Sequence, residues 1–353
     1  MAWRQNLGRP GVAAALGAAL LFGAGTPLAK NLLEGIGPWL LAGLLYLGSG
    51  IGLWLLRRLR RATPVRLPPG QWRWLAGAVI AGGVVGPVLL MFGLTRMPAS
   101  AASLLLNAES VFTALLAWFA FKENFDRRIA LGMVAIVAGA VVLGWPAASS
   151  EGAETAGIWP LLAVLGACLA WAIDNNLTRK VALNDAMWVA SVKGLVAGSI
   201  NLVLAFALGS ALPAWPRVAG AMTLGLFAYG ISLTLFVVAL RHLGTARTGA
   251  YFSVAPFFGA LLAVAWLGEP VGPALVAAGA LMAVGVWLHL SEQHAHEHAH
   301  EAMEHEHAHT HDAHHQHDHA PGAAGERHTH RHRHEPTTHR HDHFPDAHHR
   351  HPH

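Results

Sequence analysis

Residues 98–119 read Pro-Ala-Ser-Ala-Ala-Ser-Leu-Leu-Leu-Asn-Ala-Glu-Ser-Val-Phe-Thr-Ala-Leu-Leu-Ala-Trp-Phe. At ~1.5 Å per residue a helix of this length crosses the ~30 Å hydrocarbon layer of a bilayer. Its one charge, Glu109, falls near the middle. The stretch is one of ten such windows, at 11–29, 37–56, 74–94, 98–119, 128–145, 158–178, 187–209, 218–240, 248–267 and 271–290. The connections are short, so the windows are expected to pack as one helical bundle. The first run is read as a span and not as a signal peptide, because no small-residue cleavage site closes it and nine more spans follow.

The composition separates two unlike parts. Charged residues make up only 12% of the 353 residues and hydrophobic ones 54%, against roughly a quarter charged in soluble domains. Residues 1–290 carry 19 Lys and Arg but 9 Asp and Glu, and residues 291–353 hold 23 of the 25 histidines with 5 basic and 11 acidic residues. The first part is too apolar for a soluble enzyme. The second is too polar to bury a core and is expected to be disordered and His-rich. The one cysteine, Cys168, has no partner in the chain for a disulfide.

Loop charges set the direction of the spans. With the N-terminus in the cytoplasm, inside segments carry 15 Lys and Arg and outside segments only 3, namely Lys30, Arg96 and Arg217. Positive charge is retained on the inside, so both termini are expected to be cytoplasmic in a bacterial-type inner (plasma) membrane. The basic clusters serve orientation, and no nucleic-acid partner is expected. Most tryptophans fall near span ends, where indoles favour the interface.

The chain contains itself twice. At a shift of 146, Ala114-Leu115-Leu116-Ala117 falls on Ala260-Leu261-Leu262-Ala263, Phe112 on Phe258, Glu123 on Glu269 and Gly139 on Gly285; near the start, Lys30 falls on Lys180 at a shift of about 150. Five spans per half is an odd number, so the second half enters the membrane from the opposite side. The expected domains are a first repeat at 1–145, a linker at 146–157, a second repeat at 158–290 and the tail at 291–353. The fold class is thus an all-α integral membrane protein of ten transmembrane helices in two inverted five-helix repeats. Repeats of this kind occur in secondary transporters, with the site near the midplane.

Three stretches carry a family resemblance: Leu21-Phe22-Gly23-Ala24-Gly25-Thr26-Pro27 with Lys30, Leu104-Leu105-Leu106-Asn107-Ala108-Glu109 through Trp118 and Glu123, and Ala255-Pro256-Phe257-Phe258 through Leu267-Gly268-Glu269. The sequence resembles the EamA family of the drug/metabolite transporter superfamily over about residues 11–290. The resemblance implies ten helices, inverted repeats and movement of small metabolites across the inner membrane. The family often has proline after the fourth-span Glu. Here it is Ser110, which puts a proline break at that point in doubt.

Ionisable residues at membrane depth are functional candidates because each costs several kcal/mol there. Glu109 lies near the midplane, and its counterpart in the other half is Ala255, so it has no symmetric partner charge. It is placed to exchange a proton as the site opens to either side; the alternative is a protonated Glu bonded to a neighbouring helix. Asp174 and Lys193, on the sixth and seventh spans, sit at equal depth with opposite sign. They read either as a fixed ion pair or as a gate or substrate contact, and Asn175 beside Asp174 suggests a polar, wet environment. Trp171 lies inside its span, facing the pathway or packing. Pro27, Pro87 and Pro256 are expected helix breaks. Three Gly-x-x-x-Gly pairs, beginning at Gly48, Gly82 and Gly194, permit close helix approach and leave a homodimer open.

The tail's His294, His296, His298, His300, His305, His307, His309 and His311 alternate with other residues, and imidazole suits Zn or Ni. Metal at the tail is therefore expected as an option, with no cofactor required. The reading is a non-enzymatic secondary transporter of small molecules such as amino acids, more an exporter than an importer and with proton coupling as an option. Efflux of Ni, Zn or Co, with the tail as collector or sensor, is the alternative.

Overall fold

The computed structural model describes residues 10–121, 127–144, 158–243, 248 and 251–290 of the apolar part, apart from 66, 179, 182 and 183, and residues 295–300, 303–309, 328–334 and 337–342 of the tail. The apolar part and residues 293–345 are separate units.

Regular structure among the described residues of the apolar part is entirely helical. The first and second spans are α1 (Pro10–Leu32) and α2 (Pro38–Leu59). The third joins α3 (Trp72–Ala78), a π-helical segment Val79–Val85 and α4 (Gly86–Arg96). The fourth is broken into α5 (Ala99–Leu105) and α6 (Ala108–Phe121). Then come α7 (Arg127–Gly144), α8 (Trp159–Thr178) and α9 (Ala186–Ala207). The eighth span joins α10 (Trp215–Gly225), a second π-helical segment Leu226–Ile231 and α11 (Ser232–Leu243). The last helices are α12 (Ala255–Leu267) and α13 (Pro273–Leu290). Among the described residues, eight helical stretches are long and apolar enough to cross a membrane, and α12 and α13 are shorter apolar helices where the ninth and tenth spans are expected.

Local chemistry explains the ends. Proline opens α2, α10 and α12, where its missing N–H costs nothing. Gly268 ends α12 with φ 67°, a left-handed turn that favours glycine. Asp185 caps α9, its Oδ1 accepting from the Trp188 amide at 3.0 Å, while Arg57 of α2 donates to Oδ2.

The proline expectations divide. Pro87 and Pro256 stand at helix starts, but α1 runs through Pro27 without interruption. Losing one donor from a long helix frees a single carbonyl, that of Gly23 four residues back. There the neighbouring helix closes in, for a Cβ on Gly259 would lie 2.7 Å from the Gly23 oxygen. The glycine faces are also filled from within the chain. A Cβ on Gly194 would lie 2.6 Å from the Gly50 backbone nitrogen, one on Gly198 2.5 Å from that of Leu47, and one on Gly225 would overlap the Leu45 carbonyl. The Gly48 face packs on Met222 in the same way, so α2 is gripped by both α9 and α10.

The core is shared between the halves, with Leu41, Leu45, Met91, Leu94 and Leu105 beside Val164, Cys168, Trp171 and Met282. Apolar side chains also face outward, among them Leu131, Val134 and Val141 of α7 and Leu261 of α12. Water would oppose such faces; lipid does not. Exposed Trp159, Trp215, Trp266 and Trp287 lie at helix ends, the level of the interface.

In the tail, the described residues form paired strands. Strands β1 (Ala295–His300) and β4 (Thr337–Asp342) pair antiparallel, as do β2 (Met303–His309) and β3 (His328–His334). The His-x-His alternation has the two-residue period of a strand. Register sets Glu297 opposite Arg340, Glu304 opposite Arg333 and Glu306 opposite Arg331, and opposite charges across a ladder are favourable. His296, His298, His300, His305, His307 and His309 lie on these strands; His294 and His311 lie outside the described residues.

Two outcomes are expected. Gly194→Leu drives a side chain into the α2 backbone and should lower stability by at least about 3 kcal/mol, seen as an earlier melt in detergent, whereas Gly272→Ala, with nothing within 4 Å of its Cβ, should not. Burial pushes the Asp185 carboxyl up, but the hydrogen bond from Arg57, those from the Trp188 and Met187 amides and the Arg57 charge outweigh it and hold the group below its usual 3.8. That stability is present above the unfolded value and lost as pH falls through the lower folded one. Asp185→Asn should therefore melt earlier at neutral pH and show a flatter loss below about pH 4.

Candidate functional site

The site begins with Pro87. Having no N–H, it can pair neither with the Gly83 carbonyl, as an α-helix would have it, nor with the Gly82 carbonyl, as the π-helical register would. Three side chains from other spans take them. Tyr46 Oη donates to the Gly82 oxygen at 2.6 Å, Trp171 Nε1 to the same oxygen at 2.9 Å, and Asn201 Nδ2 to the Gly83 oxygen at 3.0 Å. Trp171 thus packs and holds the third span at once.

Gly82 has a second use. A side chain there would overlap the carboxylate of Asp174, which lies over it. Lys193 Nζ donates to both Asp174 oxygens at 2.6 Å, and Thr178 Oγ1 donates to Oδ1 at 2.8 Å. Asp174 is buried, and the pair ties α8 to α9.

The fourth span breaks at Leu106–Asn107, and no proline is needed. Asn107 Nδ2 donates to the Leu104 carbonyl at 3.0 Å and Ser110 Oγ to the Asn107 carbonyl at 2.7 Å, so short polar side chains compete with the helical ladder. The Cys168 thiol lies 3.6 Å from the Leu105 oxygen. The break makes Glu109 a first-turn residue of α6, where the helix dipole favours a carboxylate. Asn175 Nδ2 donates to Glu109 Oε1 at 2.7 Å. Asn175 is exposed and Glu109 half-buried, so the pair is open on one side.

An aromatic cluster lies between the halves. Phe22 stacks edge-on against Trp171 and Tyr229 at 6.5 and 6.0 Å and lies 5.3 Å from Phe252, and Tyr46 is 5.4 Å from Tyr229. Trp171 and Tyr46 thereby link this wall to the Gly82 carbonyl. Pro27 and Pro256 take no part in the Glu109–Asn175 and Asp174–Lys193 pairs. Tyr46, Asn107 and Asn201 were not singled out from sequence, although counting four residues back from Pro87 identifies a carbonyl in need of a donor. No group of three His, Cys, Asp or Glu residues able to hold a metal occurs among the described residues.

The EamA-like transporter family profile matches residues 9–145 and again 158–291. The chain belongs to the EamA-like transporter family. An uncharacterized transporter of Methanothermobacter thermautotrophicus is 27% identical over 286 residues, 77% of this chain and 83% of that one. A probable terminal-alkyne amino-acid exporter of Streptantibioticus cattleyicolor is 30% identical over 206 residues, 57% of this chain and 67% of that one. A solved crystal structure, 22% identical, aligns with a TM-score of 0.59 over 78% of this chain and 95% of its own, and shares the fold. This EamA protein is thus a multi-pass membrane transporter.

Removing one partner of a buried ion pair leaves an uncompensated charge at a cost of about 3–5 kcal/mol, while replacing both by apolar residues is often neutral. Lys193→Met alone should therefore melt much earlier in detergent than Asp174→Leu/Lys193→Met. Equal melts would show that the pair is not coupled.

Proposed function

We propose that the chain is a secondary transporter that exports amino-acid-like metabolites across a bacterial-type inner membrane, with both termini in the cytoplasm. The observation that carries the reading is Glu109: a half-buried carboxylate at the break of the fourth span, hydrogen-bonded to an exposed Asn175. A carboxylate at that depth favours a compensating positive partner. A proton and a substrate ammonium both serve, and one excludes the other. Exchange of one for the other across the membrane is antiport, so an inward proton gradient drives amine export. The aromatic wall of Phe22, Tyr229 and Phe252 suits the apolar portion of such a molecule. The 30% identical exporter of an amino acid supports this class.

In this reading ten spans form two inverted five-helix repeats, with α12 and α13 completing the count. The packing supports it. The first span packs on the eighth and ninth, and the sixth on the third and fourth. The π-helical segments begin 147 residues apart, at Val79 and Leu226, and the breaks at 106–107 and 253–254 have the same offset. Matched discontinuous helices around a midplane site are what transport by rocking requires. The tail is an accessory that binds Zn or Ni through its histidines. Nothing observed favours metal as the transported species.

The test is reconstitution into proteoliposomes with a panel of labelled amino acids and, separately, Zn and Ni. A pH gradient should accelerate amino-acid flux, and Glu109→Gln should remove that acceleration. Acceleration that survives in the variant, or flux of the metals alone, would overturn the reading.

A further inference from the structure

Two charged residues outside the site hold helix ends. Lys30, in the last turn of α1, donates from Nζ to the carbonyls of Leu94 and Met97, the latter at 3.2 Å. Glu269, just after the left-handed turn at Gly268, accepts at Oε1 from the Ala99 amide at 2.6 Å and at Oε2 from the Ser100 amide at 2.8 Å. Leu94 and Met97 end α4, and Ala99 and Ser100 begin α5. The turn between the third and fourth spans is thus held from two sides. A cation takes the negative end of one helix dipole and an anion the positive end of the next. The holders belong to the first and ninth spans, which also pack on each other. Leu94, Ala99 and Ser100 are fully or nearly fully buried beneath them.

We propose that Lys30 and Glu269 are a gate that clamps the turn between the third and fourth spans by its two helix termini and must release it for passage at this end. The inference rests on the transporter reading but not on the substrate chosen.

Ser103 reports on the gate. It lies one turn inside the clamp, is buried, and its hydroxyl has no hydrogen-bond partner. In a Cys168→Ser background, Ser103→Cys is exposed to a membrane-impermeant maleimide in vesicles of either orientation, with no substrate present. Labelling from the clamped side should be slow, and Lys30→Met or Glu269→Gln should each speed it about tenfold. Gly272→Ala, at the same end with nothing within 4 Å of its Cβ, should leave it unchanged. The charge swap Lys30→Glu/Glu269→Lys should not restore protection, because each residue would then face a dipole end of its own sign. Unchanged labelling in the single variants would overturn the gate, and restoration by the swap would reduce it to a plain ion pair. Detergent melts verify folding, and Glu269→Asp replaces any variant that fails. Because labelling needs no substrate, an error in the amino-acid assignment leaves this result intact.

Discussion

Inside lipid a backbone carbonyl has no water to turn to, so every helical bond that is lost must be replaced from within the protein. Pro87 creates that need in the third span, and the arrangement around Gly82 and Gly83 answers it. Tyr46, Trp171 and Asn201 come from the second, sixth and seventh spans to meet two neighbouring oxygens. Because Gly82 has no side chain, Asp174 can lie against it with Lys193. Satisfying the third span therefore also fixes where the sixth and seventh must stand.

The fourth span meets the same constraint differently. Its break is held by side chains on either side of it, Asn107 and Ser110, and the irregular turn turns Glu109 into a helix-start residue. The charges in and around the bundle follow one economy. Asp174 and Lys193 neutralise each other, and Lys30 and Glu269 meet helix termini. Glu109 differs in having a neutral amide as its hydrogen-bond partner and a side open to its surroundings.

Much of this was legible in the sequence. Runs of Ala, Leu and Gly long enough to span gave the helices, and equal depth with opposite sign brought Asp174 and Lys193 together on paper. The rest depends on information that periodicity does not carry. Pro27 and Pro87 look alike in sequence, yet α1 passes through one while the third span changes register before the other. The difference lies in what meets the freed carbonyls, the close-packed Gly259 backbone at Gly23 but side-chain donors at Gly82 and Gly83. The break at Asn107 was hidden because a proline was expected to cause it, whereas two short polar side chains suffice. The alternating histidines carry two readings, because a polar run without a core points to disorder while period two is also a strand's period and the acidic first arm matches the basic second.

The bonds to Gly82 and Gly83 also bear on how the chain is made. Their acceptors are synthesised about ninety to one hundred and twenty residues before Trp171 and Asn201 emerge from the ribosome. During that interval the nascent third helix enters the bilayer with only Tyr46 available from the earlier chain. Biogenesis must therefore keep it beside the insertion machinery, or in a hydrated pocket, until the sixth and seventh helices arrive. The gene's first half encodes an assembly intermediate, not a finished subdomain, even though the sequence repeats.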